Sequence, residues 1–230
     1  MTIPNHIAII PDGNRRWAKA RLLNPWDGHT EGVKRYWESA EYILSLGVKN
    51  LTFWAGSYDN LLKRSKIEVK FLMKLFVEEI SNPELLNKFL KNKTRLRVIG
   101  EWQEFIEDKS LIASVKKLES ATEHFKEYSL TILFAYDGKR EMLATANSLV
   151  KSGKKVTDTN LKASLWTGDL PDVDLVIRTG GEPHWSAGFM MWLTANSQFY
   201  FTDLLWPDFK EKEIKKALAE YERRERRLGK

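Results

Sequence analysis

The chain has 230 residues, enough for one sizeable core, and its content of 43% hydrophobic and 30% charged residues is ordinary for a globular protein. It contains no cysteine, which excludes disulfide bonds and thiolate chemistry and fits a reducing compartment. No stretch approaches the ~20 apolar residues that span a bilayer, and the first residues do not resemble a secretory signal. We therefore expect a soluble, cytoplasmic protein with a single domain over residues 1–230.

The net charge of +6 favours an anionic partner: nucleic acid, a membrane surface or a phosphorylated small molecule. Much of the excess lies in the final stretch YERRERRLGK, a pattern that is also typical of a solvated helix face. The nine tryptophans are scattered, without an RNA-binding signature. We expect no nucleic-acid partner, while contact of the basic C-terminal helix with a membrane surface stays open.

Apolar runs alternate with helical patterns along the chain. Strands are predicted at HIAII, NLTFWA, TRLRVIG, SLTILFAY and VDLVIRT, and helices at 28–47, 65–80, 83–91, 110–126, 139–151 and 210–227. Continuous apolar runs are typical of strands that are buried on both faces. The alternation predicts an α/β fold, with a mostly parallel central sheet flanked by helices.

Polar and charged residues follow four of the predicted strands. They are Asp12, Gly13, Asn14 and Arg16; Gly56, Ser57, Asp59 and Asn60; Asp137, Gly138 and Lys139; and Arg178, Gly180, Gly181, Glu182, His184 and Ser186. In open parallel sheets, ligands bind beyond the carboxyl ends of the strands. Loops are polar in any case, but carboxylates, amides, arginines and glycines at four strand ends together favour a site for phosphate and metal.

Four motifs, HIAIIPDGNRRWAK, GHTEGV, DLVIRTGGE and FYFTDLLWPDF, resemble those of the cis-prenyltransferases, and the similarity runs in order over nearly the whole chain. The resemblance implies a homodimer of α/β domains, each around a deep apolar tunnel. It also implies condensation of isopentenyl diphosphate with an allylic diphosphate such as farnesyl diphosphate, giving new cis double bonds and requiring Mg²⁺. Candidate tunnel residues are Trp54, Ala55, Leu133 and Phe134, for which plain core packing is the alternative.

The resemblance also implies roles for individual residues. Asp12 would place Mg²⁺ and the leaving diphosphate, with an N-cap role as the alternative, and Asn60 would lie near the proton that leaves the isopentenyl group. Gly13 would let backbone amides approach the phosphates, and Arg16 would hold them. The remaining residues implied in substrate binding are Asn14, Arg15, Trp17, His29, Ser57, Asp59, Arg64, Arg178, His184 and Ser186.

Several positions depart from the family pattern. Pro25 replaces a common arginine, Asp59-Asn60-Leu61-Leu62 replaces Glu-Asn-Trp, and Ser65 replaces a proline. His184 stands where the family has a second arginine. Gln198 stands where the family has a metal-binding glutamate, and its amide oxygen lacks the charge that Mg²⁺ prefers.

These departures leave alternatives open. We predict an active cis-prenyltransferase with a Mg²⁺ site that includes Asp12 and Gln198. A catalytically silent homologue that serves as a partner subunit is the second hypothesis. His184 and Gln198 favour it, whereas five retained residues oppose it: Asp12, Arg16, Asn60, Arg178 and Ser186. A nucleic-acid-binding protein is the third hypothesis, and only the charge and the tryptophans support it.

Overall fold

The computed structural model describes residues 2–106 and 109–224, without the side chains of 109–111. Its centre is a six-stranded sheet of β1 (His6–Ile10), β2 (Asn50–Gly56), β3 (Thr94–Ile99), β4 (Tyr128–Phe134), β5 (Leu175–Arg178) and β6 (Gln198–Phe201). The strand order is β3-β4-β2-β1-β5-β6, and every neighbouring pair is parallel. The predicted single-domain α/β fold with a parallel sheet is confirmed.

Helices connect the strands and cover the sheet. They are α1 (Asn14–Ala20), α2 (Pro25–Ser45), α3 (Tyr58–Lys63), α4 (Lys66–Ile80), α5 (Pro83–Lys91), α6 (Lys109–Thr122), α7 (Gly138–Lys151), α8 (Asp158–Ser164) and α9 (Glu211–Arg223). Short 3₁₀ turns lie at Trp102–Phe105 and Trp206–Asp208. Within the described ranges, no helix has the length and apolar character needed to cross a bilayer.

Two hydrophobic layers lie on opposite faces of the sheet, because successive side chains of a strand point to opposite sides. Ile7 and Ile9 of β1 join the layer formed with α2, α4, α5, α6 and α9. Ala8 and Ile10 join the other layer, which includes Phe189. Both faces are therefore covered, as the continuous apolar runs predict.

Some elements differ from the sequence prediction. The strand β6 and the short helices α1, α3 and α8 were not predicted. These elements are four to seven residues long, and β6 is only half-buried, so their hydrophobic pattern is weak. The predicted helix 110–126 ends at Thr122, and residues 225–227 of the predicted C-terminal helix lie outside the described residues, as does much of the basic run considered for membrane contact.

Helix α1 packs against α2 at two glycines. A Cβ atom on Gly28 would lie 2.1 Å from the backbone oxygen of Asn14, and one on Gly32 would lie 2.6 Å from Asn14 Oδ1. The fully buried Trp206 donates its indole N–H to the carbonyl of Gly32 at 2.8 Å. These contacts place the loop after β1 against the start of α2, where the candidate site lies.

Replacing Gly28 with alanine is expected to destabilise the protein by about 3 kcal/mol, since the new methyl group would overlap a backbone atom. Chemical denaturation of the variant and the parent measures the difference. Gly153→Ala is the matched control, because its φ of +66° costs about 1 kcal/mol but no atom lies within 4 Å of the new Cβ. An effect of Gly28→Ala no larger than that of the control would contradict this packing.

Candidate functional site

The carboxylate of Asp12 lies between two arginines at the carboxyl end of the sheet. Asp12 Oδ1 is 3.2 Å from Arg16 Nη2, and Asp12 Oδ2 is 3.3 Å from Arg178 Nη2. Asp12 follows β1, Arg16 lies on α1, and Arg178 ends β5, which is the neighbour of β1. The parallel topology therefore brings together three of the predicted site residues, which we call the Asp12 site.

Backbone contacts fix the position of Asp12. Its N–H donates to Thr179 Oγ1 at 2.9 Å, and the same hydroxyl donates to the Asp12 carbonyl at 2.8 Å. The backbone N–H of Trp206 donates to that carbonyl at 3.0 Å. The N-cap of α1 is Gly13, with φ +112°, so the alternative of Asp12 as the N-cap is wrong. Its carboxylate, 37% exposed, faces the arginines and the solvent.

Arg178 is the most deeply placed cation of this site, with a side chain only 6% exposed. Its Nη1 donates to the backbone carbonyl of His184 at 2.8 Å, while its buried Nε has no hydrogen-bond partner among the described residues. Arg16 donates to the carbonyl of Gly180 at 2.7 Å. Asp12 neutralises at most one of the two guanidinium groups, so the Asp12 site keeps an excess of positive charge.

A second charged group, which we call the Glu68 cluster, consists of Glu68, Arg15, His29 and Arg64. The Glu68 carboxylate lies 3.8 Å from Arg15 Nη1, 3.4 Å from His29 Nε2 and 3.4 Å from Arg64 Nε. It is 12% exposed. Sequence reasoning treated Glu68 only as part of a capping box, and its backbone N–H does donate to Ser65 Oγ. The cluster adds two cations and one histidine, all predicted site residues, to the region near Asp12.

Burial sets the ionisation of this cluster. Desolvation by burial, together with the positive charge of Arg64, lowers the pKa of His29 from 6.5 to about 4, so that the imidazole is neutral at pH 7. Desolvation also lowers the pKa of Arg64, whereas the negative charges of Glu68 and Asp12 raise it. The influence of Asp12 on Arg64 shows that the Asp12 site and the Glu68 cluster lie within electrostatic range of each other.

The lowered pKa of His29 predicts acid sensitivity. The unfolded chain takes up this proton near pH 6.5 and the folded protein only near pH 4, so stability is lost as the pH falls through that window. Where the unfolded chain holds one proton more than the folded protein, the unfolding free energy falls by about 1.4 kcal/mol for each unit by which the pH drops. Between pH 7 and 5, the measured unfolding free energy of His29→Gln should therefore fall less steeply than that of the parent. We expect the two slopes to differ by about 1.4 kcal/mol per pH unit. Equal slopes would contradict the burial argument.

The loop after β2 and helix α3 carry three further predicted residues. Ser57 is buried and caps α3, its Oγ accepting the backbone N–H of Asn60 at 3.0 Å. Asp59 is exposed and lies 3.7 Å from Lys63 Nζ. Asn60 is exposed on the same helix. The hydroxyl of Ser57 thus has a structural partner, whereas Asn60 lies on the open side of α3.

Trp17, His184 and Ser186 lie at the margin of the Asp12 site. The indole N–H of Trp17 donates to Asp208 Oδ1 at 2.9 Å, which fixes α1 to the 3₁₀ turn. His184 is exposed and lies 3.7 Å from Glu182. Ser186, in the same segment, is half-buried. The side chain of Trp17 therefore has a structural partner away from the carboxylate of Asp12.

Gln198 lies at the opposite end of the sheet from Asp12. It begins β6 and pairs with Leu175 at the amino end of β5, whereas Asp12 follows the carboxyl end of β1. Three residues of strand, about 10 Å, separate Leu175 from Arg178. The predicted metal site shared by Asp12 and Gln198 is therefore not formed within one chain.

An apolar cleft opens beside the charged groups, between α2, α4 and the sheet. Its volume is about 720 Å³ including its opening, and its lining includes Asn14, His29, Tyr36, Leu72, Phe76 and Phe134. Ala55 and Phe134 line it, as predicted, but Trp54 and Leu133 pack on the other face of the sheet. The sequence interpretation overlooked that neighbouring strand residues point in opposite directions. Asn14 Oδ1 is buried and has no hydrogen-bond partner in the described part of the chain.

The Asp12 site offers one carboxylate as a ligand for Mg²⁺. No group of three or more His, Cys, Asp or Glu side chains suited to a metal occurs in residues 2–106 and 109–224, apart from the undescribed side chains of 109–111. Mg²⁺ is usually held by one or two carboxylates together with substrate phosphates and water. The single partly exposed carboxylate of Asp12 therefore fits a Mg²⁺ ion that shares its coordination with a diphosphate.

Known proteins resemble this chain over its whole length. Residues 10–229 match the family model described as putative undecaprenyl diphosphate synthase. An isoprenyl transferase of Fusobacterium nucleatum is 44% identical, with 99% of this chain and 96% of the relative covered. A tritrans,polycis-undecaprenyl-diphosphate synthase (geranylgeranyl-diphosphate specific) of Methanopyrus kandleri is 34% identical, with 99% and 85% covered.

A solved structure supports the same relationship. The lavandulyl diphosphate synthase of Lavandula x intermedia, crystallised with dimethylallyl diphosphate, matches with a TM-score of 0.90 and 30% identity over 99% of both chains. Nothing in these similarities favours a catalytically silent partner subunit. The site geometry, the family match and the similarity over the full chain agree: this chain belongs to the cis-prenyltransferase family and is a prenyl transferase.

Proposed function

We propose that the protein condenses isopentenyl diphosphate with an allylic diphosphate, such as farnesyl diphosphate, to give a Z-polyprenyl diphosphate and free diphosphate. In this reaction the allylic carbon–oxygen bond breaks with its electron pair on the leaving diphosphate. The isopentenyl double bond supplies the electrons of the new carbon–carbon bond, and a proton leaves its C2. The protein must therefore stabilise charge on phosphate oxygens and accept an apolar chain.

The observation that carries this proposal is the position of four guanidinium groups beside the apolar cleft. Arg16 and Arg178 flank Asp12, while Arg15 and Arg64 flank Glu68, so four cations face two carboxylates. Fixed positive groups aimed at developing phosphate charge usually supply the largest catalytic contribution. The buried Nε of Arg178, without a partner in the described residues, supports an anionic ligand at this point.

We assign the predicted residues to two subsites. Asp12, Gly13, Asn14, Arg15, Arg16, His29 and Arg64 would surround the allylic diphosphate. Arg178, His184 and Ser186 would hold isopentenyl diphosphate. Asn60, with Ser57 and Asp59, would lie near the isopentenyl proton, and Trp17 would position α1. Asp12 would hold Mg²⁺, which when bound neutralises phosphate charge.

By family resemblance we also propose a homodimer that works in the cytoplasm. The names of the relatives refer to different allylic compounds, geranylgeranyl diphosphate in one and dimethylallyl diphosphate in another. We propose farnesyl diphosphate as the first candidate for the primer of this chain, and the experiment below compares it with the other two.

Product analysis tests the function. Purified protein is incubated with labelled isopentenyl diphosphate and dimethylallyl, farnesyl or geranylgeranyl diphosphate, with Mg²⁺ or with excess EDTA. We expect a longer labelled diphosphate with at least one primer and none with EDTA. Absence of product with every primer would contradict the proposal, and activity that appears only after adding a second homologous chain would identify a partner subunit instead.

A further inference from the structure

The groove that forms the apolar cleft continues beyond it. On β4, Phe134 and Ile132 line the cleft, and Leu130, two residues further along the same face, lines a second pocket. On α2 the lining runs from His29, beside the charged groups, to Leu44 in the second pocket. This distance is about 22 Å at the rise of an α-helix. The second pocket has a volume of about 660 Å³ including its opening.

Two residues separate the cleft from the second pocket. Trp37 on α2 and Glu79 on α4 line both spaces, and among the described lining residues they are the pair common to the two. Trp37 Nε1 donates to Glu79 Oε2 at 2.7 Å, so a hydrogen bond joins the two helices across the groove. The Trp37 ring also packs edge-on against Phe89, with ring centroids 6.2 Å apart.

We propose that the Trp37–Glu79 pair is a partition that limits how long the hydrocarbon product becomes. The inference rests on the prenyl-transfer function proposed above. A growing chain that reaches the pair must break its hydrogen bond and leave an indole N–H and a carboxylate against hydrocarbon. Both groups are costly to bury without partners. Chain growth therefore stops at the partition, although a further pocket lies behind it.

The residues that line the groove on α2 and α4 show why the partition lies at this position. Along α2 the lining residues before the partition include Val33 and Tyr36, and those beyond it are Ala40, Glu41 and Leu44. Along α4 the groove side carries Leu72, Leu75 and Phe76 before it reaches the carboxylate of Glu79. On α4, the charged side chain of Glu79 thus interrupts an otherwise apolar run of cleft-lining residues. It does so at the point where the indole N–H of Trp37 can donate to it.

Product length in Glu79→Ala measures the effect. We expect the main product to be longer than that of the parent by at least one five-carbon unit, at similar initial rates, since the groove opens into the second pocket. Glu79→Gln keeps an acceptor for the indole and should give the parent's product. Glu78→Ala removes a neighbouring exposed glutamate that lines neither space, and it should also leave product length unchanged.

A refilling variant adds a stricter test. Leu44→Trp, which adds bulk to the second pocket, should return the product of Glu79→Ala towards the parent's length. Parent-length product from Glu79→Ala, or lengthening in Glu79→Gln equal to that in Glu79→Ala, would overturn the partition. Thermal melting of each variant shows whether it is folded.

A binding measurement separates failure of the partition from failure of the proposed function. Saturated alkyl diphosphates of increasing length are titrated into the parent and Glu79→Ala in the presence of Mg²⁺. In the parent, affinity should stop rising beyond a certain chain length, whereas in Glu79→Ala it should continue to rise, by at least tenfold for the longest chains. The same plateau in both proteins, or no binding of any chain, would overturn the partition. Absence of prenyl transfer by the parent, with the plateau shifted as expected, would contradict only the function.

Discussion

Replacing Asp12 with asparagine is expected to lower the turnover number by about 10²–10³-fold, the cost of removing one group that stabilises charge in the transition state. The amide keeps the size of the side chain but lacks the charge that faces Arg16 and Arg178 and that would hold Mg²⁺. Steady-state incorporation of labelled isopentenyl diphosphate at saturating substrate and varied Mg²⁺ measures the effect. We also expect the variant to need more Mg²⁺ for half-maximal rate.

Asp172→Asn is the matched control. Asp172 is an exposed carboxylate that accepts a hydrogen bond from Lys162 Nζ at 2.7 Å, and it lies outside both charged groups. Its replacement should change turnover less than twofold, in line with the small contribution of exposed ion pairs. If Asp12→Asn behaved like this control while remaining folded, Asp12 would have no part in the reaction.

Arg178→Ala is expected to raise the KM for isopentenyl diphosphate by about 100-fold, since removing one partner of a buried charge pair costs 2–5 kcal/mol. Its guanidinium is almost fully buried and already held by Asp12 and by the carbonyl of His184. Arg178→Lys keeps the charge without the planar fork and should show a smaller rise, about tenfold. The KM for the allylic substrate should change much less in both variants.

Arg97→Ala controls for the loss of a partly buried arginine. Arg97 lies on β3, is 19% exposed and pairs with Asp169 outside the candidate site. We expect it to lower the melting temperature without changing either KM. A rise in both KM values to the same extent in Arg178→Ala would instead mean that Arg178 holds the loop together and does not select a substrate.

The sequence predicted five of the six strands, because each is a continuous apolar run that needs burial on both faces. It also predicted that Asp12, Arg16 and Arg178 would meet, since residues after parallel strands share one edge of the sheet. Strand β6 was not predicted, because its four residues are only partly buried and show no strong hydrophobic pattern.

Other features of the site could not be predicted, because they depend on where side chains point in the fold. A sequence motif does not contain this information. Glu68 forms a local capping contact through its backbone, and its carboxylate meets Arg15, His29 and Arg64 only because α1, α2 and α4 converge. Similarly, Trp54 is a neighbour of Ala55 in sequence yet packs against Phe189 on the far face of the sheet.

The consequence of Gln198 for Mg²⁺ binding depends on where this residue lies in the fold. As a substituted metal ligand, it suggested weakened binding of Mg²⁺. In the structure it begins β6, at the amino ends of the strands, so its amide does not replace a carboxylate beside Asp12 within one chain. The Asp12 carboxylate and the substrate phosphates are thus the oxygen ligands that we propose for Mg²⁺.

The most direct test of the account is a crystal structure with Mg²⁺ and farnesyl thiodiphosphate, whose sulfur bridge resists cleavage. We predict that the diphosphate lies against Arg16 and the Glu68 cluster, with Mg²⁺ on Asp12 and the farnesyl tail in the cleft towards Trp37. A diphosphate bound away from these groups, or a tail lying on the opposite face of the sheet beside Trp54, would contradict it.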